Sequence, residues 1–227
     1  MVMKIIKFVF PLVVLNLIAL ILVSFGLPDI VPIHINLDGA VDGFASKWYI
    51  PIIGMIPIFI AIIYIIYCYT VDEINLNKNI EDKLIPAVTI LVMVFSWIPV
   101  FLALALTNIN GVISQNFLIV EISVFISIIL AIFFVIVAHY MEDIKPNNYL
   151  GIRTPWTLKN DLVWEKTHRL GSYTFMIAGF ILIVYGLATF ISENFIYLGI
   201  GLFIAIFLAA FIPIIYSYYE FKKLNGY

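Results

Sequence analysis

Residues Leu84–Val120 read LIPAVTILVMVFSWIPVFLALALTNINGVISQNFLIV, 37 residues without one charged side chain. About 20 apolar residues carry a helix across the hydrocarbon core of a bilayer. The run is too long for one crossing and suits two. Thr107-Asn108-Ile109-Asn110-Gly111 lies inside it, and Asn and Gly at that density punctuate a helix. The stretch therefore divides into spans at roughly 84–106 and 115–140.

The same reading works outward in both directions. Phe8–Leu27 offers 20 uncharged residues, Trp48–Val71 offers 24, Gly171–Ser192 offers 22 and Asn194–Tyr219 offers 26. That makes six spans. The chain is 64% hydrophobic and only 11% charged, whereas a soluble domain carries about 25% charged residues. A soluble enzyme, a disordered chain and a nucleic-acid-binding module are excluded on that ground. A net charge of −2 offers no electrostatic footprint for a phosphate backbone. One cysteine, Cys68, rules out an internal disulfide, and with no cation near it in sequence it reads as a small core residue.

Lys4 and Lys7 precede the first span, as in a signal peptide. A signal h-region runs about 7–15 residues, so this 20-residue run is expected to stay as a span. Orientation follows from the Lys/Arg distribution. One set of connecting segments holds Lys4, Lys7, Lys78, Lys83, Lys145, Arg153, Lys159, Lys166, Arg169, Lys222 and Lys223, and the other holds Lys47 alone. Eleven against one places both termini in the cytoplasm. The expected protein is an all-α, six-span, plasma-membrane chain in four units. They are 1–71 with an ordered outer loop at 28–47, 72–140, a cytoplasmic loop at 141–170, and 171–227.

Within the spans, ionisable groups are nearly absent. Glu121 sits near the outer end of span four and reads as a snorkelling carboxylate, and His139 sits near its inner end. A coupled transporter would display charges near the midplane. Pro57, Pro99 and Pro213 are positioned to kink their helices. Tyr64, Tyr67, Tyr69, Tyr216, Tyr218 and Tyr219 read as an interfacial belt. The spans look like scaffold.

Function is therefore sought in the two larger loops. In the outer one, His34, Asn36 and Asp38 alternate with Ile33, Ile35 and Leu37, a period of two that separates a polar from an aliphatic face. Asp38-Gly39 and Asp42-Gly43 are turn signals. Three roles stay open for His34, Asn36, Asp38 and Asp42: a divalent-cation site, a recognition surface, or turn-capping side chains bonded to each other.

In the inner loop, Thr154-Pro155 signals a helix start, and Asn160 or Asp161 can cap a second helix running into span five. On that helix Trp164 and His168 share a face, and Glu165 can pair with Arg169. Trp156, Trp164, Arg153, Lys159, Lys166 and Arg169 fall within 17 residues, a density typical of interaction hot spots and also of a membrane-surface element. Catalysis would fall to His139, Glu142, Asp143 and His168, but no metallopeptidase spacing accompanies them.

The outer Pro32-x-His34-x-Asn36-x-x-Gly39-x-x-Asp42 resembles the N-terminal PxHxNxxGxxD domain of the SdpI family of membrane proteins. The inner Gly151-Ile152-Arg153-Thr154-Pro155-Trp156-Thr157-Leu158-Lys159-Asn160, with Val163-Trp164 and Thr167-His168-Arg169, resembles that family's second signature. The resemblance implies an immunity and signalling protein with no cofactor and no catalysis. It also implies a secreted peptide toxin outside and a small transcriptional repressor inside as partners, beside the lipid bilayer. By position it places Pro32, His34, Asn36, Asp38, Gly39 and Asp42 on the ligand side. Arg153, Thr154, Pro155, Trp156, Lys159, Asn160, Trp164, His168 and Arg169 fall on the partner side. The alternatives are a membrane-embedded enzyme, at the extreme a metal-dependent hydrolase, or a metal-dependent membrane protein, using the loop histidines and carboxylates, and a small-solute exporter.

Overall fold

The computed structural model describes residues 8–36, 41–70, 78–107, 115–147 and 150–225. Among these described residues, five segments are long and apolar enough to cross a membrane: Tyr49–Ile66, Leu84–Leu104, Val120–Met141, Asp161–Ser192 and Ile196–Leu224. A shorter apolar helix, α1 (Phe10–Phe25), precedes them.

Between α1 and the next helix the chain forms β1 (Ile30–Ile35) and β2 (Val41–Ser46), an antiparallel pair, so the fold is helical with one small sheet rather than all-α. The remaining helices are α2 (Tyr49–Gly54), α3 (Ile56–Thr70), α4 (Lys78–Phe95), α5 (Ile98–Thr107), α6 (Gln115–Met141), α7 (Asp161–Ser192), α8 (Ile196–Ile206) and α9 (Ile212–Leu224).

Three of the expected spans are each broken once, and each break lies just before a proline. Met55 separates α2 from α3 ahead of Pro57. Ser96-Trp97 separates α4 from α5 ahead of Pro99. A π-helical turn at Phe207–Phe211 separates α8 from α9 ahead of Pro213. Proline has no N–H for the carbonyl four residues back, which favours a break there, although α4 runs through Pro86 unbroken.

Contacts show which helix ends meet. At one end Leu20, Leu27, Val31, Ile50, Val100 and Ala103 form a cluster that seats the hairpin on α1, α2 and α5. At the other, Leu84, Met141, Ile144 and Trp164 join α4, α6, the 144–152 segment and α7. Between them, Ala131, Ala178, Leu182, Ala205 and Ala209 knit α6, α7 and the last span together. Small residues let the backbones close: an added Cβ on Gly186 would lie 2.1 Å from the Ser127 Oγ. With 32 residues α7 is about 48 Å long, against a hydrocarbon core of about 30 Å. Its first turns, Asp161 to Leu170, therefore extend beyond the uncharged run that begins at Gly171.

Candidate functional site

The hairpin end is built on Val31, fully buried in the cluster with Leu20 and Val100. Lys47 clamps the base, its Nζ 3.0 Å from an Asp29 carboxylate oxygen and 3.3 Å from the Leu27 carbonyl it donates to. Pro32 pairs with Phe44, but the next partners are His34 with Gly43 and then Ile35 with Val41. The ladder thus bulges first at Ile33 and then at Asp42. These bulges break the expected period of two: Ile33 and His34 are both exposed, and Pro32 is buried. The same bulges bring the His34 Nδ1 to 2.5 Å from an Asp42 carboxylate oxygen, both side chains well exposed. Gly43 makes the approach possible, since a Cβ there would lie 2.6 Å from the His34 Cβ. Asn36 is half-buried beyond the end of β1. Asp38 and Gly39 lie outside the described residues, and among those described no three His, Cys, Asp or Glu side chains group around a possible metal position.

The opposite end is built around His168. Its Nδ1 lies 2.9 Å from the Trp164 carbonyl, and its Nε2 accepts the Ile152 N–H at 2.9 Å. One nitrogen must donate and the other accept, which sets a neutral ring with its proton on Nδ1. The His168 and Trp164 rings stack at 4.1 Å and 19°. Trp164 in turn donates its indole N–H to the Ile144 carbonyl at 2.7 Å. Gly151 is required beside this ring: its φ is +110°, and a Cβ on it would sit 2.3 Å from the His168 Nε2.

From Ile152 the chain turns over α9. Thr157 donates to the Ile152 carbonyl at 2.8 Å and accepts from the Thr154 N–H at 2.9 Å. The Thr154 and Ser217 hydroxyls meet at 3.1 Å, and Trp156 lies 5.0 Å from the Tyr218 ring. Asn160 caps α7, its side chain accepting from the Leu162 and Val163 N–H groups. One helical turn below, Lys166 reaches across to Glu220 at 2.9 Å, and the Tyr216 hydroxyl donates to the same carboxylate at 3.2 Å. The segment is thus strapped to the last span at three points.

Several sequence expectations are corrected here. Residues 155–159 form a turn, not a helix, because Thr154 and Thr157 tie it into a closed loop. The Glu165–Arg169 pair does not form. Trp164 and His168 are buried to 1% and 0% exposure, and Thr154 to 7%. These three residues cannot present their side chains to a partner; they hold the segment's shape. The outward positions include Arg153, Pro155, Leu158, Lys159, Leu162, Glu165 and Arg169, with Trp156 half-buried. A polar trio within the bundle, Asn16 and Ser96 buried and Trp97 partly buried, went unread in the sequence: the Trp97 indole donates to the Asn16 Oδ1 at 2.7 Å, and the Asn16 amide donates to the Ser96 Oγ at 3.2 Å. An asparagine at the middle of an uncharged run was the available signal.

These features define a class: a multi-pass helical membrane protein with a folded segment at each end of its bundle. Residues 143–217 match the SdpI/YfhL protein family, and residues 12–61 match the domain of unknown function DUF1648. The resemblance read from the two loops is borne out, and the two regions contain the signature segment and the hairpin. The chain is also 36% identical over 107 residues to the Immunity protein SdpI of Bacillus subtilis (strain 168). The match takes in 47% of this chain and 49% of that relative, so the chain spans about half the length of the curated relative it matches. No solved structure matches.

Proposed function

We propose that this chain is a membrane immunity and signalling protein, without catalysis, that recognises a secreted peptide toxin or related ligand at the hairpin and engages a cytoplasmic repressor at the 150–170 segment. One observation carries the reading. The two regions that match family descriptions are the two that build ordered, partly exposed surfaces at opposite ends of the bundle, and the chain resembles an immunity protein over about half its length. In this reading α1 is a sixth span, both termini face the cytoplasm and the membrane is the plasma membrane, in accord with the eleven-to-one Lys/Arg asymmetry. His34, Asn36 and Asp42 face the ligand, and Asp38 and Gly39, between them in sequence, belong to the same ligand side. Arg153, Pro155, Trp156, Lys159 and Arg169 face the partner, while Thr154, Asn160, Trp164 and His168 position them.

The test is protection. A toxin-sensitive bacterial strain carrying the gene should survive the peptide secreted by a producer strain, and His34→Ala should remove survival at unchanged protein level. Survival equal to that of the empty vector, at confirmed membrane expression, sinks the immunity reading.

A further inference from the structure

The break between α4 and α5 sits against the one face of the bundle that carries the hairpin, and its chemistry is unlike that of the other two breaks. Pro99 leaves the Phe95 carbonyl without a helical donor. Ser96 turns its hydroxyl back to the Met93 carbonyl at 2.6 Å. Asn16, 7% exposed at the middle of α1, then closes the gap from outside the helix, giving its amide to Ser96 and taking the Trp97 indole N–H.

On the far side of the break, α5 has ten residues and bears the hairpin: Val31 of β1 packs with Val100 and Ala103, and Trp97 packs against the same cluster. On the near side, α4 runs to Leu84, which is buried with Trp164 in the cluster beneath the signature segment. Helix α4 thus stands between the Val31 cluster and the Trp164 cluster, with Pro86 inside it and the joint at Ser96-Trp97 at its hairpin end.

We infer that Asn16 is a positioning residue that latches this joint, so that the Asn16–Trp97 bond holds α5 at the angle that sets the hairpin, and its release lets a change at the hairpin move α4 and the Trp164–His168 stack. The inference deepens the proposed signalling role and rests on it for its biological use, but the joint itself is measurable without any toxin. Removing the latch frees α5 about Ser96-Trp97 while leaving its apolar seat intact.

The experiment uses the full chain in lipid nanodiscs, with Cys68→Ser and cysteines introduced at Ser46 and Ser192 for spin labels. Asn16→Leu and Trp97→Phe are compared with the parent. Pulsed electron resonance should give one narrow distance for the parent and a distribution broadened by several ångströms for both variants. Amide exchange over residues 151–159 should speed up at least tenfold in both. Unchanged distances and unchanged exchange overturn the latch. A lowered melting temperature with an unchanged distance distribution overturns it too, in favour of a purely packing role. Should Asn16→Leu not accumulate, Trp97→Phe, which removes the indole N–H and leaves a smaller aromatic ring in its place, carries the test. Failure of the survival assay alone would remove the immunity reading and leave the latch standing.

Discussion

The Trp164 and His168 rings lie one helical turn apart and stack face to face at 4.1 Å, and every polar atom of the two rings is bonded to backbone. The pair therefore acts as an internal post: Trp164 holds Ile144 after α6, His168 holds Ile152, and the signature segment hangs between them.

His168→Phe keeps the stack but leaves the Ile152 N–H buried without an acceptor, a loss of about 1–3 kcal/mol. A thermal shift in detergent should show a lower melting temperature. Gly151→Ala should be at least as harmful, because both its φ and the 2.3 Å approach to the His168 Nε2 exclude a side chain. A parent-like melting temperature in both variants would contradict the post.

Truncating Trp164 to alanine should cost about 3–5 kcal/mol, as for other buried aromatic side chains. Protein level, survival and partner recruitment should then fall together. Arg153→Ala and Lys159→Ala lie outward and should leave the protein level unchanged. If Arg153 is a partner contact, its loss should weaken recruitment by about 2 kcal/mol, roughly thirtyfold, and Arg153→Lys should not restore it. Pull-down of the repressor alongside a survival assay separates the two classes.

Lys166→Met leaves the Glu220 carboxylate, 6% exposed, with the Tyr216 hydroxyl as its remaining bonded partner. Losing one member of such a pair is costlier than losing both to apolar residues. The double variant Lys166→Met with Glu220→Leu should therefore melt higher than Lys166→Met alone. The reverse order would mean that Glu220 is solvated well enough not to need Lys166.

The topology assignment is open to direct measurement. In a Cys68→Ser background, a cysteine at Ser46 should react with an impermeant thiol reagent on intact cells. A cysteine at Lys159, exposed at the opposite end, should react only after the membrane is opened. The opposite result would exchange the proposed ligand and partner faces.

Much of the architecture is legible without coordinates. The uncharged runs mark the spanning segments, since burial in lipid depends on composition over about 20 residues and on little else. The three helix breaks follow from Pro57, Pro99 and Pro213, and Asn160 announces the start of α7, because ladders and caps are chemistry within one turn. The register of the hairpin is less legible. Two bulges spoil the alternation of Ile33 to Leu37, and a bulge is selected by what the strand must pack against, here α5.

Local sequence determined where the chain crosses, turns and caps, and it marked the two segments that differ from scaffold. Only the tertiary structure decided which side chains in those segments face inward. Within a bilayer-embedded bundle both the lipid and the protein interior are apolar, so hydrophobic periodicity does not separate the faces of a helix. Trp164 and Arg153 read alike as hot-spot candidates, yet one is sealed beneath Leu84 and Ile144 and the other is exposed. Likewise Asn16 meets Trp97 from 81 positions away and Lys166 meets Glu220 from 54. Such bonds exist because helix packing leaves a buried polar group no water to turn to, and the partner is whichever donor or acceptor the packing brings within 3 Å.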